Sequence, residues 1–202
     1  NAFAVNDPPT LTLPGAQTVD EDATINISGI RVNDVDAGSG NLRVTLNALG
    51  PNGAATGGNL SFSSTSGVTV TGNNSNSVTL TGTLANLNLA LASLAYQGKQ
   101  DVNGTDRIVI NVNDQGNSPS GPLNVSQTLT VNINAVNDAP ILNISGGSSR
   151  TVAEDTLLTL GGINVTDVDS DPGTLSVTVS ALQGTLAARA FGGATVGSSG
   201  SN

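Results

Sequence analysis

Apolar and polar residues alternate with a period of two along much of this chain. Thr24-Ile25-Asn26-Ile27, Leu42-Arg43-Val44-Thr45-Leu46, Val68-Thr69-Val70-Thr71 and Val78-Thr79-Leu80-Thr81 follow the pattern. So do Ile108-Val109-Ile110-Asn111-Val112 and Leu129-Thr130-Val131-Asn132-Ile133. A strand turns successive side chains to opposite faces, so the pattern predicts half-buried antiparallel strands with one apolar face. Gly- and Asn-rich turns separate them at Gly38-Ser39-Gly40, Gly50-Pro51-Asn52-Gly53, Gly57-Gly58 and Gly72-Asn73-Asn74. Short strands punctuated in this way predict an all-β sandwich. One stretch leaves the period. Leu84, Leu87, Leu91 and Leu94 are spaced for one helix face, and Leu and Ala favour helices. Leu87, Leu89 and Leu91 also fit a strand. The expectation is a short helix, within 84–94, covering one end of the sandwich.

The pattern also repeats on a longer scale. Val5-Asn6-Asp7-Pro8-Pro9 returns as Val136-Asn137-Asp138-Ala139-Pro140, 131 residues later. Glu21-Asp22 returns as Glu154-Asp155, and Asp34-Val35-Asp36 as Asp167-Val168-Asp169, both 133 residues later. Landmarks in one order at a near-constant offset define a tandem repeat. It divides the chain into a complete repeat over 5–135, a linker over 136–140 and a partial second repeat over 141–202. Gly173 to Val179 follows Gly40 to Leu46, but no counterpart of Ser77 to Ile133 follows. The expectation is that the array extends beyond these residues. The alternative is that an identical neighbouring subunit supplies the missing strands.

Composition removes several classes of function. The chain has no Cys and no His, so disulfides, zinc–thiolate sites and the usual general base are absent. Ser and Thr are plentiful but have no His to activate them, and few aromatic rings are present to stack a sugar. An enzyme is therefore not expected. The net charge of −9 opposes nucleic-acid binding. No apolar run approaches the ~20 residues of a membrane span, so no membrane insertion is expected.

The 15 acidic residues are kept for loops and joints, while the strands carry Thr, Ser and Asn. This order of motifs resembles the cadherin-like repeats of large bacterial surface adhesins. The motifs are Val-Asn-Asp-x-Pro at 5–9 and 136–140, Glu-Asp at 21–22 and 154–155, and Asp-Val-Asp at 34–36 and 167–169. They continue with Gly-Thr-Leu-Ala at 82–85, Asp-x-Asn-Gly-x-Asp at 101–106 and Val-Asn-Asp at 112–114. The resemblance covers almost the whole chain. It implies tandem Ig- or cadherin-like sandwiches with one short helix per repeat, and a non-enzymatic adhesive or structural role. The implied setting is a secreted, bacterial cell-surface one. The joint also resembles the calcium-binding linker of animal cadherins, although Ala135, Val136 and Ala139 depart from that linker.

The residue chemistry agrees with Ca2+. This ion takes 6–8 oxygens from carboxylates, Asn side chains and carbonyls. An extended Asp-x-Asp turns both carboxylates to one face. The candidate site at the joint takes Asn137 and Asp138 from the linker, Asp167, Asp169 and Asp171 from the second repeat, and Glu21, Asp22 and Asp114 from the end of the first. Asp7, Asp34 and Asp36 form the equivalent half-site for a preceding repeat. An Asp-x-Asp also serves as an ordinary turn, and the segment 101–106 reads as a turn with Asn103-Gly104 at its tip, the alternative being an ion held within the unit. An EF-hand is excluded, because Pro172 and Thr178 occupy its Gly and Glu positions. The expected partners are neighbouring repeats or identical subunits. A calcium-dependent glycan-binding module, a protein receptor and a self-assembling filament or layer are the rival readings.

Overall fold

The alternation at Leu42, Val44 and Leu46 becomes a strand in which those side chains are fully buried and their neighbours face outward. This is the centre of the first unit in a computed structural model, which describes residues 5–117, 121–147, 149–170, 173–182, 184–190 and 192–197. The chain splits into two units, 1–137 and 138–202.

In chain order the first unit contains β1 (Thr10–Thr12), β2 (Gln17–Asp20), β3 (Thr24–Asn26), β4 (Arg31–Asn33) and β5 (Asn41–Leu49). It continues with β6 (Asn59–Phe62), β7 (Val68–Thr71), β8 (Ser77–Thr83), α1 (Leu84–Leu91), β9 (Leu94–Gln97), β10 (Gly104–Asn113) and β11 (Asn124–Asn134). Six strands form one sheet in the order β2-β11-β10-β5-β8-β7. A smaller sheet, β3-β9-β6, and the ribbon β1-β4 supply further apolar side chains to the same core. Neighbours in the large sheet are antiparallel except for β2, which runs parallel to β11 with Val19 opposite Ile133. The core joins Val44, Leu80, Ile110 and Val131 from the large sheet to Leu60, Leu94 and Tyr96 from the smaller one and to Ile27, directly after β3. Each such side chain contributes about 1.5–3 kcal/mol by leaving water.

The expected all-β sandwich with a short helix is present. The helix is shorter than the Leu84–Leu94 spacing predicts, ending at Leu91, and Leu94 opens β9. Helical propensity loses there to pairing, because β9 lies between β3 and β6 and buries Leu94 and Tyr96. The helix presents Leu87, Ala90 and Leu91 to the core. It docks through Asn88, whose side chain accepts from the Val32 N–H and donates to the Val32 carbonyl, both at 2.9 Å. An amide thus acts as a strand partner for β4.

The segment 101–106 also differs from its predicted turn. The strand begins at Gly104, and Asp106 lies on the inner face of β10 in phase with Ile108 and Ile110. There it accepts hydrogen bonds from the Tyr96 hydroxyl at 2.5 Å and from the Gly58 N–H at 2.8 Å. Gly58 is required by this approach, since a Cβ would collide with the Gln97 carbonyl and the Tyr96 ring. Burial, then the Asp106 carboxylate, raises the Tyr96 pKa far above its ordinary value.

In the second unit, β12 (Ile141–Ile144) pairs antiparallel with β13 (Ile163–Thr166). This ribbon repeats β1-β4: Leu142 faces Val165 as Leu11 faces Val32. Asp22 and Asp155 share a positive φ, as do Gly29 and Gly162. The second unit has no helix among the described residues. No helix of the described chain is long and apolar enough to cross a membrane.

Candidate metal centre

Asp34 and Asp36 follow β4 where the chain turns toward β5. One oxygen of Asp34, Oδ1, accepts the N–H groups of Asp36 at 2.8 Å and Ala37 at 2.9 Å. This is the ordinary work of an Asp in a turn. The other oxygen, Oδ2, is buried and has no hydrogen-bond partner, although Asp34 as a whole is only 8 % exposed. The Asp36 carboxylate accepts the N–H of Asp7 at 2.6 Å and so holds the segment leading into β1.

The second unit repeats this clasp. Asp169 accepts the N–H of Asp138 at 2.5 Å, and Asp167 Oδ1 accepts the N–H of Asp169 at 3.0 Å. The sequence repeat is therefore a repeat of hydrogen bonds. Asp167 is half-buried, and Asp169 and Asn137 are exposed. Asp171, a predicted ligand, lies outside the described residues.

Asp114 belongs to the same end of the first unit as Asp7 and Asp36, not to the end that holds Glu21. It sits in the loop joining β10 to β11. Its Oδ1 accepts from Gly116 N–H at 2.9 Å and Leu123 N–H at 2.8 Å. Its Oδ2 accepts from the Asn6 side chain at 2.6 Å. Asn6 also donates to the Gly121 carbonyl at 2.8 Å. Burial alone would raise the Asp114 carboxyl, but these donors outweigh it and hold the pKa below the usual carboxylate value. Placing Asp114 beside Glu21 and Asp22 overlooked the hairpin, which returns the chain along the full length of β11. Asn6, directly before Asp7, is a buried member of this end that the sequence does not mark as a ligand. Its signal was its place in the repeated Val-Asn-Asp.

Glu21 and Asp22 lie at the far end of β11. Glu21 is buried, its N–H donates to the Asn134 carbonyl, and its Oε1 accepts the Val136 N–H at 2.8 Å. It therefore grips the chain as it leaves the sheet. Asp22 Oδ1 accepts the Asp101 N–H at 3.1 Å, and an oxygen of each carboxylate lies within 4.8 Å of the other. Two exposed carboxylates this close repel unless a cation stands between them or water screens them. In sequence Asp101 reads as part of a turn, with an ion held within the unit as the alternative. Its positive φ fits that turn, and its partner 79 residues away is invisible in local sequence.

The first unit thus carries carboxylates at both ends. Asn6, Asp7, Asp34, Asp36 and Asp114 stand at one, and Glu21, Asp22 and Asp101 at the other. The donor set is all oxygen, which suits a hard divalent cation and gives soft metals no ligand. An unpartnered carboxylate oxygen on buried Asp34 is what such an ion would satisfy.

No family model and no curated protein matches the chain. Among solved structures, it is similar to protocadherin gammaB7 EC3-6, described as a cis-dimer structure. The match is 17% identical, covers 80% of this chain and has a TM-score of 0.33. The chain spans about a third of that protein's length, 33%. It is also similar to AggA, the major subunit of aggregative adherence fimbriae type I from Escherichia coli. That match is 14% identical, covers 67% of this chain and all of that one, and has a TM-score of 0.29.

Proposed function

We propose that this chain is a non-enzymatic structural or adhesive repeat of a bacterial cell-surface protein, with joints that Ca2+ stiffens. The observation that carries the reading is the unpartnered Oδ2 of Asp34 within a clasp that the chain builds twice. A turn uses only the oxygen that accepts backbone N–H groups, and Asn would serve it as well. A second, buried carboxylate oxygen costs about 1–3 kcal/mol when it has no donor. A cation binding there converts that cost into stabilisation.

In the first unit, Asp34 Oδ2 with the carboxylates of Asp36 and Asp7 would hold the ion. Glu21, Asp22 and Asp101 would serve the other end. Asp167, Asp169 and Asp138 would do so in the second unit. Bound calcium supplies positive charge and a fixed set of oxygen directions. The chain's own residues already hold the backbone: Asp36 fixes Asp7, Glu21 fixes Val136, and Asp114 fixes Asn6. Neutralising the remaining carboxylates lets them converge, and the linker segments lose freedom. Extracellular modules of this type bind at about 10⁻⁴–10⁻³ M. Neighbouring repeats or identical subunits are the partners in this reading.

Small-angle X-ray scattering of the whole chain tests it. Calcium should extend the maximum dimension and narrow the distribution of shapes, and chelator should reverse both. Identical curves with and without calcium would remove the mechanism.

A further inference from the structure

Asp106 of the first unit has more hydrogen-bonding capacity than the fold uses. The Tyr96 hydroxyl and the Gly58 N–H both bond to its Oδ2. Among the described residues no donor reaches Oδ1. An Asn would accept the same two bonds through its single oxygen without burying a charge. Asp106 is 3% exposed, yet its Oδ1 is not among the oxygens sealed from solvent, as Asp34 Oδ2 is. A cavity of about 290 Å³ opens onto Asp106. Buried Asp106 and Ile133 form its floor, and exposed Pro51, Thr56, Lys99 and Val102 form its rim. Lys99 directs its ammonium to Asn59 Oδ1 at 3.4 Å, which leaves its methylene stem to the wall. Asp101, next to Val102, and Asp22 add negative charge at the same end of the unit. Ligand pockets run from about 300 Å³ upward, so this one admits a small group and no polymer.

We propose that this cavity binds a primary ammonium group carried on a short aliphatic stem. The ammonium donates to Asp106 Oδ1, a charge-assisted bond to an acceptor the fold leaves open. The methylenes lie against Ile133, Pro51 and Val102. A negative floor at an acidic end of the unit favours a cation over an anion, and the apolar walls favour a stem over a bare ion. A free alkylamine and the side chain of a lysine both carry this group. The site lies within the first unit and does not require calcium.

The test titrates the intact chain in chelator with n-butylamine and with Nα-acetyl-lysine amide, read by NMR shifts of backbone amides. Saturable one-to-one shifts are expected at Val102, Asp106 and Ile133. The fluorescence of Tyr96, the sole tyrosine, should change in parallel, because its hydroxyl bonds the same carboxylate. n-Butanol and butyrate, which keep the stem but not the ammonium, should bind about tenfold more weakly or worse. Asp106→Asn retains an acceptor for Tyr96 and Gly58 and should erase the preference for the amine. Val102→Trp, at a position 40% exposed and so tolerant of change, should block the cavity while the fold persists. Binding of both amines points to a lysine side chain as the natural occupant, and binding of butylamine alone points to a free amine. Three outcomes would overturn the proposal: no saturable binding of either amine, equal binding of butanol or butyrate, or amine binding that survives both substitutions.

Discussion

Asp34→Asn separates a metal ligand from a turn residue by giving opposite signs in two solutions. Asn keeps an Oδ1 to accept the N–H groups of Asp36 and Ala37, so the turn survives. What changes is Oδ2, the buried oxygen without a partner. With a dissociation constant of about 10⁻³ M, about 10 mM calcium stabilises the wild-type unit by roughly 1.4 kcal/mol through mass action. Residues that merely orient ligands are worth about 10–100-fold in affinity, and a direct ligand should be worth at least that. The calcium increment in the variant then falls to about 0.4 kcal/mol or less. At about 3–5 °C per kcal/mol for a unit of this size, the wild type should gain about 5 °C and the variant under about 2 °C. In chelator the order inverts: the variant should melt at or above the wild type, because it no longer buries an unsatisfied charge. Thermal denaturation by circular dichroism in matched ionic strength reads both conditions. A variant that keeps the full calcium shift, or that is equally destabilised in chelator, would refute the assignment of Asp34.

Three further outcomes follow from the hydrogen bonds. Tyr96 is the sole tyrosine, and its folded pKa lies above its unfolded value of 10.0, so its contribution is complete below that pH and lost as pH rises further. Its tyrosinate absorbance should therefore appear only together with alkaline unfolding, and Tyr96→Phe should cost about 1.5–3 kcal/mol in denaturant melts by leaving Asp106 with one donor fewer. Asp114 has the opposite sign: its pKa is depressed from 3.8, so its contribution is present above that value and lost as pH falls through the folded pKa. Asp114→Asn should cost about 1–3 kcal/mol at neutral pH and flatten the acid limb of the stability curve, because an amide cannot accept from Asn6 at its nitrogen. Asn88→Leu should cost about 1–3 kcal/mol in urea melts, with faster hydrogen exchange at Val32, by stripping β4 of its amide partner.

Period-two alternation located six of the strands, because each buries one face against a continuous core and places its polar residues outside. It failed where tertiary pairing chose the conformation. Leu94 continues the helical spacing of Leu84, Leu87 and Leu91, yet β3 and β6 leave a slot between them that only an extended segment fills. Asp106 read as the end of a turn because an acid on an inward strand face is costly unless it is satisfied. The donors that satisfy it, Tyr96 and Gly58, lie ten and 48 residues away. Local composition carries no information about either.

The same distinction governs the acidic residues. The duplicated motifs disclosed that Asp34, Asp36, Asp167 and Asp169 act as pairs, because a repeat preserves local hydrogen bonds along with residues. They did not disclose the side on which a third acid stands. Asp114 and Glu21 flank opposite ends of β11, an 11-residue strand that spans about 36 Å. Chain order places Asp114 between the two repeats of the motif and so close to the coming joint, but one hairpin carries it back to Asn6. Each end of the unit is consequently built from residues far apart in sequence: Asn6 with Asp114 at one, Asp22 with Asp101 at the other. Both ends therefore require the complete β10-β11 hairpin and the loops around it. The second unit forms its Asp138–Asp169 clasp with β12-β13 alone, so the clasp needs only local strands and the buried acidic end needs the whole sandwich.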